Sequence, residues 1–173
     1  ASALAAAAPW AAAEVLVEVG KQAALQYRNQ SAVQAFERAL PYLGFNDLDA
    51  HIEVLHDLGT VLDLMGEPER ALDFYEELLQ SAWLMGHHAK VAVAYNKLGR
   101  AHRTLGNYDR ALSDLGRGLN LFREVTDQPG VAASLTDIGM VHSVRGSYRE
   151  AEGCYEEALL IRQEAGDKRS QAL

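Results

Sequence analysis

A chain of 173 residues that is 49% apolar and 23% charged is long enough to bury a core and has ordinary globular composition, which argues against disorder of the whole. Sixteen basic against twenty-four acidic residues leave a formal charge of −8, which disfavours nucleic acid or an anionic membrane surface and suits a cationic or mixed-charge partner. The single cysteine, Cys154, rules out an internal disulfide, and no Cys/His cluster has zinc-site spacing, so the expectation is a reducing, cytoplasmic setting with neither metal nor cofactor.

The Ala-rich opening, Ala1 to Ala8, has no basic lead and is broken by Pro9, so it reads poorly as a signal peptide or a membrane span. Helices are predicted near 11–27, 30–43, 49–65, 68–85, 89–105, 108–125, 130–145 and 148–165. The connections Gly44 to Asn46, Gly86-His87, Thr126 to Pro129 and Gly166-Asp167 carry the breakers, and no strand pattern competes. Asn29-Gln30-Ser31 matches a glycosylation sequon, but nothing else points to secretion.

The same residue types return forty positions apart. Leu58-Gly59, Leu98-Gly99 and Ile138-Gly139 form one series; Gly66, Gly106 and Gly146 a second; Ala71, Ala111 and Ala151 a third; Tyr75, Leu115 and Tyr155 a fourth. A shift of thirty-nine brings Val19-Gly20, Ala32 and Phe36 onto these series as a degenerate first repeat. The mid-helix glycines cost roughly 0.5–1 kcal/mol each against alanine, so their recurrence implies close approach of two helices. The second series marks where each first helix stops on a left-handed cap.

These residues resemble the tetratricopeptide repeat, whose WxxLGxxY…AxxxF pattern is met by Leu55, Leu58-Gly59, Leu62, Ala71 and Tyr75. The third repeat reads Tyr95, Leu98-Gly99, His102, Ala111 and Leu115, and the fourth Leu135, Ile138-Gly139, His142, Ala151 and Tyr155. The family's usual period is about 34 residues with a late proline, so this chain resembles its longer, forty-residue subclass. The resemblance implies an all-α fold, an α-solenoid of antiparallel helical hairpins. Its repeats fall at 11–48, 49–88, 89–128 and 129–167, with the opening of a truncated further repeat at 168–173. Stacked hairpins bury a continuous seam, and the first helix of each repeat lines a concave groove. An uncapped C-terminal end, with Leu159, Leu160 and Ile161 left open, is expected to favour self-association.

No nucleophile, base and orienting group converge, so an enzyme is not expected. By the resemblance, the groove is formed in the second repeat by His56, Asp57, Thr60 and Asp63, beside Glu53. The third contributes Asn96, Lys97, Arg100 and Arg103, the fourth Thr136, Asp137 and Met140, and the first Glu14, Glu18 and Lys21. Residues 49–65 hold acids and no Lys or Arg, whereas 91–108 hold three basic residues and no acid, so the groove should be polarised along its length. Two readings stay open: these charges meet a protein or peptide ligand, or Asp57 pairs with Lys97 and Asp63 with Arg103 between repeats. A carboxylate clamp is not favoured, because Asn96, Lys97 and Arg100 lie within one repeat.

His102 and His142, and Tyr27, Tyr75, Tyr148 and Tyr155, are expected as packing residues, with His87-His88 solvated in a turn. Gly116, Gly118 and Gly153 are read as thinning the second helices for close contact. The functional expectation is a scaffold or adaptor that grips a partner peptide or helix. The rival is a regulatory repeat segment of a larger signalling or transcription-control protein that binds a neighbouring domain or an effector.

Overall fold

The computed structural model describes residues 2–44 and 47–171, with side chains for 11–44 and 47–166. Among these residues there are eight α-helices and no strand: α1 Ser2–Leu25, α2 Asn29–Leu43, α3 Leu48–Met65, α4 Pro68–Leu84, α5 His88–Thr104, α6 Tyr108–Glu124, α7 Gln128–Val144 and α8 Tyr148–Gln171. The fold is all-α, built of antiparallel helical hairpins of the solenoid class. It divides into one compact unit at 1–81 and another at 82–173.

Each hairpin closes on the same clasp. A Cβ on Gly20 would stand 2.5 Å from Phe36 Cε1, one on Gly99 2.5 Å from Leu115 Cγ, one on Gly139 2.6 Å from Tyr155 Cε1, and one on Gly59 would collide with the Tyr75 ring. The glycine of the first helix thus receives the large residue of the second in all four repeats, including the degenerate first. Phe36, Tyr75 and Leu115 are completely buried. Fully burying such a side chain contributes about 1.5–3 kcal/mol, which outweighs the helix-propensity cost of glycine.

The turns repeat as faithfully. Gly66, Gly106 and Gly146 have φ near +76°, and the backbone N–H of the next residue returns to the helix in each: Glu67 to Leu62 O at 3.0 Å, Asn107 to His102 O and Ser147 to His142 O at 2.9 Å. The first repeat makes the same turn with Tyr27 at φ 57°, and Arg28 N–H bonds Ala23 O. Thr126, at φ 58°, takes the place in the α6–α7 turn that Gly86 takes between α4 and α5. Two helix starts are capped by side chains, Asp47 accepting from Ala50 N–H at 2.9 Å and Asp127 from Gly130 N–H at 3.0 Å, whereas Asn107 at the start of α6 makes no such bond. Pro68 opens α4, where its missing N–H costs nothing.

Within the first unit, α1 packs on α2, α2 on α3, and α3 on α4 through Gly59 and Tyr75. Within the second, a cluster of Leu119, Phe122, Val131, Leu135 and Ala158 joins α6, α7 and α8, and a smaller one joins Ala111, Leu115 and Val141.

Several expectations change. Pro9 does not delay α1, which begins at Ser2; an alanine-rich segment carries the helix past the one lost hydrogen bond. Gly166-Asp167 is no breaker, because α8 runs on to Gln171, and the opening proposed at 168–173 falls on backbone that is helical through that residue. Phe45 and Asn46, part of one predicted connection, lie outside the described residues. Tyr27 is 88% exposed, since it sits on a turn rather than a helix face. Tyr148 at 72% and Tyr155 at 38% are also exposed: both lie on α8, where no further described helix covers the face that α7 covers on α6. Only Tyr75 of the four is core. Gly118 does admit α5, its Cβ position lying 3.1 Å from Ala92 O, whereas Gly116 and Gly153 face open space.

Candidate functional site

In the first unit, α3 presents His56, Asp57, Thr60 and Asp63 on successive turns. His56 Nδ1 lies 3.3 Å from Asp57 Oδ1, and the Thr60 hydroxyl donates to His56 O at 2.8 Å. Asp63 accepts a 2.7 Å hydrogen bond from the Tyr75 hydroxyl. The buried ring of Tyr75 thereby satisfies its polar tip, and Asp63 is drawn into the hairpin clasp. Lys21 Nζ stands 3.8 Å from Glu53. Beside these groups opens a recess of ≈ 400 Å³ lined by Lys21, Ala24, Leu25, Phe36, Asp57, Thr60, Val61 and Leu64.

In the second unit, α5 presents Asn96, Lys97, Arg100 and Arg103, and α7 presents Thr136, Asp137 and Met140. Asp137 is the centre. Its side chain is 12% exposed, and Arg100 Nε lies 3.9 Å from its Oδ1. Burial pushes the Asp137 carboxyl above its ordinary value, while Arg100, Arg103 and Lys97 pull it down without cancelling the rise. Arg103 Nε is buried and makes no hydrogen bond. Arg100, Arg103 and Lys97 thus all act on this one buried acid. Asn96 Oδ1 accepts from the Ser134 hydroxyl at 3.1 Å, tying α5 to α7. Thr136 donates to Ala132 O at 2.7 Å and accepts from Arg162 at 2.9 Å, while Met140 is exposed.

The sequence thus brings together two groups, one acidic and one basic, each within its own unit. Arg162 escaped notice because it lies on a second helix, as did the apolar recess, which needs three-dimensional packing to appear.

His102 is buried, with Nε2 3.6 Å from Asp114 and Nδ1 unpartnered, and His51 repeats the arrangement against Glu77 at 2.9 Å. His142 is half-buried, and His87 and His88 are exposed, the latter edge-on to Trp83. Among the described residues no three His, Cys, Asp or Glu side chains form a metal-sized group, and no helix is long and apolar enough to cross a membrane.

Hairpins clasped from a glycine to a large apolar or aromatic residue at a fixed interval define a helical-repeat protein. The chain belongs to the tetratricopeptide-repeat family, whose model matches residues 55–124 and 90–164. This family is typically a non-enzymatic, protein-binding repeat, and a general protein-binding role follows. Among solved structures, BtubC (BKLC) from P. vanneervenii is 23% identical with a TM-score of 0.80 over 89% of this chain and 64% of its own. The apo form of RapI is 18% identical, TM-score 0.83, over 93% and 59%. A Rap protein complexed with Competence and Sporulation Factor is 19% identical, TM-score 0.77, over 90% and 44%. These likenesses concern the fold, and the chain spans less than two thirds of the length of each.

Proposed function

We propose that the chain is a scaffold or adaptor module whose first-helix faces hold charged segments of a partner protein. The basic face of α5, with Asn96, Lys97, Arg100 and Arg103 beside Thr136, Asp137 and Met140, takes acidic or amide groups. The acidic face of α3, with His56, Asp57, Thr60 and Asp63, takes basic ones. The observation that carries this reading is the gathering of Lys97, Arg100 and Arg103 around one buried carboxylate. The fold shared with a Rap protein that is complexed with Competence and Sporulation Factor supports a binding role on such a scaffold. The greater length of the similar structures favours a second reading, in which the segment regulates a neighbouring domain of a larger chain.

Isothermal calorimetry with blocked peptides of net charge plus and minus tests the first reading. Saturable heats from both, weakened by salt as expected for charge-steered binding, support it. Absence of binding by peptides of either sign counts against it.

A further inference from the structure

The forty-residue register places the recess of the first unit at the same repeat positions as the Asp137 cluster of the second. Asp57 corresponds to Asp137, Lys21 to Arg100 and Phe36 to Leu115. Two correspondences break the likeness: Glu18 stands where the second unit has Lys97, and Ala24 where it has Arg103. In the second unit the long side chain of Arg103, its Nε buried, occupies this position and acts on the buried acid. In the first unit a methyl group stands there instead, and a recess of ≈ 400 Å³ remains open beside Asp57, floored by buried Phe36 and walled by Val61 and Leu64.

We propose that this recess receives an arginine or lysine side chain of a basic partner segment, which does in the first unit what Arg103 does in the second. Such a side chain matches both halves of the site. Its methylene stem covers Phe36, Val61 and the rim of Leu64, which is 71% exposed, and its charged head meets the Asp57 carboxylate. Lys21 stands 3.8 Å from Glu53, residues 49–65 hold no Lys or Arg, and the His56 ring, with Nδ1 3.3 Å from Asp57 Oδ1, carries charge only when protonated. A norleucine-like ligand would fill the apolar part and leave Asp57 unmatched; an acidic one would meet Asp57 and Glu53 as like charges. The proposal rests on the acidic-face reading above and adds the side chain recognised and the residue, Ala24, that keeps the site open.

The test is a chemical-shift titration of the full chain with the blocked pentapeptide Ala-Ala-Arg-Ala-Ala, and with versions carrying norleucine or glutamate at the centre. The arginine peptide should shift the Ala24, Leu25, Val61 and Leu64 amides saturably, and the norleucine peptide should bind about tenfold more weakly for want of a charge-assisted hydrogen bond. Ala24→Arg, a change whose counterpart Arg103 the fold already accommodates, should fill the recess and abolish these shifts with an unchanged helical spectrum. Asp57→Asn should weaken the arginine peptide about tenfold and leave the norleucine peptide as it was; this variant decides the matter if Ala24→Arg does not fold. No saturable shift at these amides, equal affinity for arginine and norleucine, or undiminished binding by folded Ala24→Arg would each overturn the proposal. Shifts at Arg100 and Arg103 with the glutamate peptide alone would remove the recess and leave the wider function standing, whereas silence from all three peptides would remove both.

Discussion

The ring of Tyr75 occupies the place where a Cβ on Gly59 would stand, and its hydroxyl donates to Asp63 at 2.7 Å. One side chain therefore closes the hairpin twice, by packing into a missing Cβ and by a hydrogen bond across it. In the fourth repeat Tyr155 meets Gly139 likewise, with its hydroxyl 3.4 Å from Ser143. Leu115 keeps only the apolar half of the clasp against Gly99.

Gly99→Leu should loosen the stack, because Leu115 Cγ and the Ala111 carbonyl already bound the space that new atoms would need. Overpacking of this kind costs about 1–3 kcal/mol or more and should lower the denaturant midpoint accordingly. Gly116→Ala is the internal control: Gly116 faces open space in α6, so the change should stabilise by roughly 0.5–1 kcal/mol. Equal midpoints for the two variants would show that the clasp does not depend on the missing Cβ.

Thr126 adopts φ 58° in the α6–α7 turn, a left-handed conformation that is unfavourable for a β-branched residue. Thr126→Gly should relieve strain of about 1–3 kcal/mol, less the 0.4–1 kcal/mol or so of added freedom in the unfolded chain. A net gain near 1 kcal/mol is therefore expected in chemical denaturation, and a loss would mean that the threonine side chain makes a compensating contact.

The Asp137 carboxyl titrates above the ordinary aspartate value of 3.8 in the folded state. Between that value and its raised one, the folded chain holds a proton that the unfolded chain has released. The contribution of this group is therefore fully present below the unfolded pKa and is lost as pH rises through the folded pKa. Thermal melts of wild type and Asp137→Asn across this window should show the variant gaining relative stability as pH rises. A difference that stays flat would indicate that Asp137 titrates alike in both states.

Much of the fold was legible because repetition averages out local ambiguity. Gly20 and Phe36 share few neighbours with Gly59 and Tyr75, yet the interval between partners is the same and the clasp forms in both. What the pattern could not show was which face of each helix a neighbour covers. Tyr155 occupies the same repeat position as Leu115, yet Leu115 is wholly buried and Tyr155 is not, because α7 covers one and no described helix covers the other. At the site, spacing identified the charged positions on α3 and α5. It did not reveal that Asp63 serves Tyr75, or that Asp137 is buried enough to gather three cations. The first depends on Tyr75, a second-helix residue across the hairpin, and the second on contacts between the first helices of two repeats.

The central claim, that the α5 face binds a partner's acidic groups, meets its most direct test in calorimetry of a blocked acidic peptide with wild type and with Arg100→Ala/Arg103→Ala. Removing two charges worth roughly 0.5–1 kcal/mol each should weaken binding about tenfold. Far-UV circular dichroism should stay unchanged, since Arg100 is exposed and Arg103 only half-buried. Equal affinity in the folded double variant would contradict the claim and return these arginines to intramolecular pairing with Asp137.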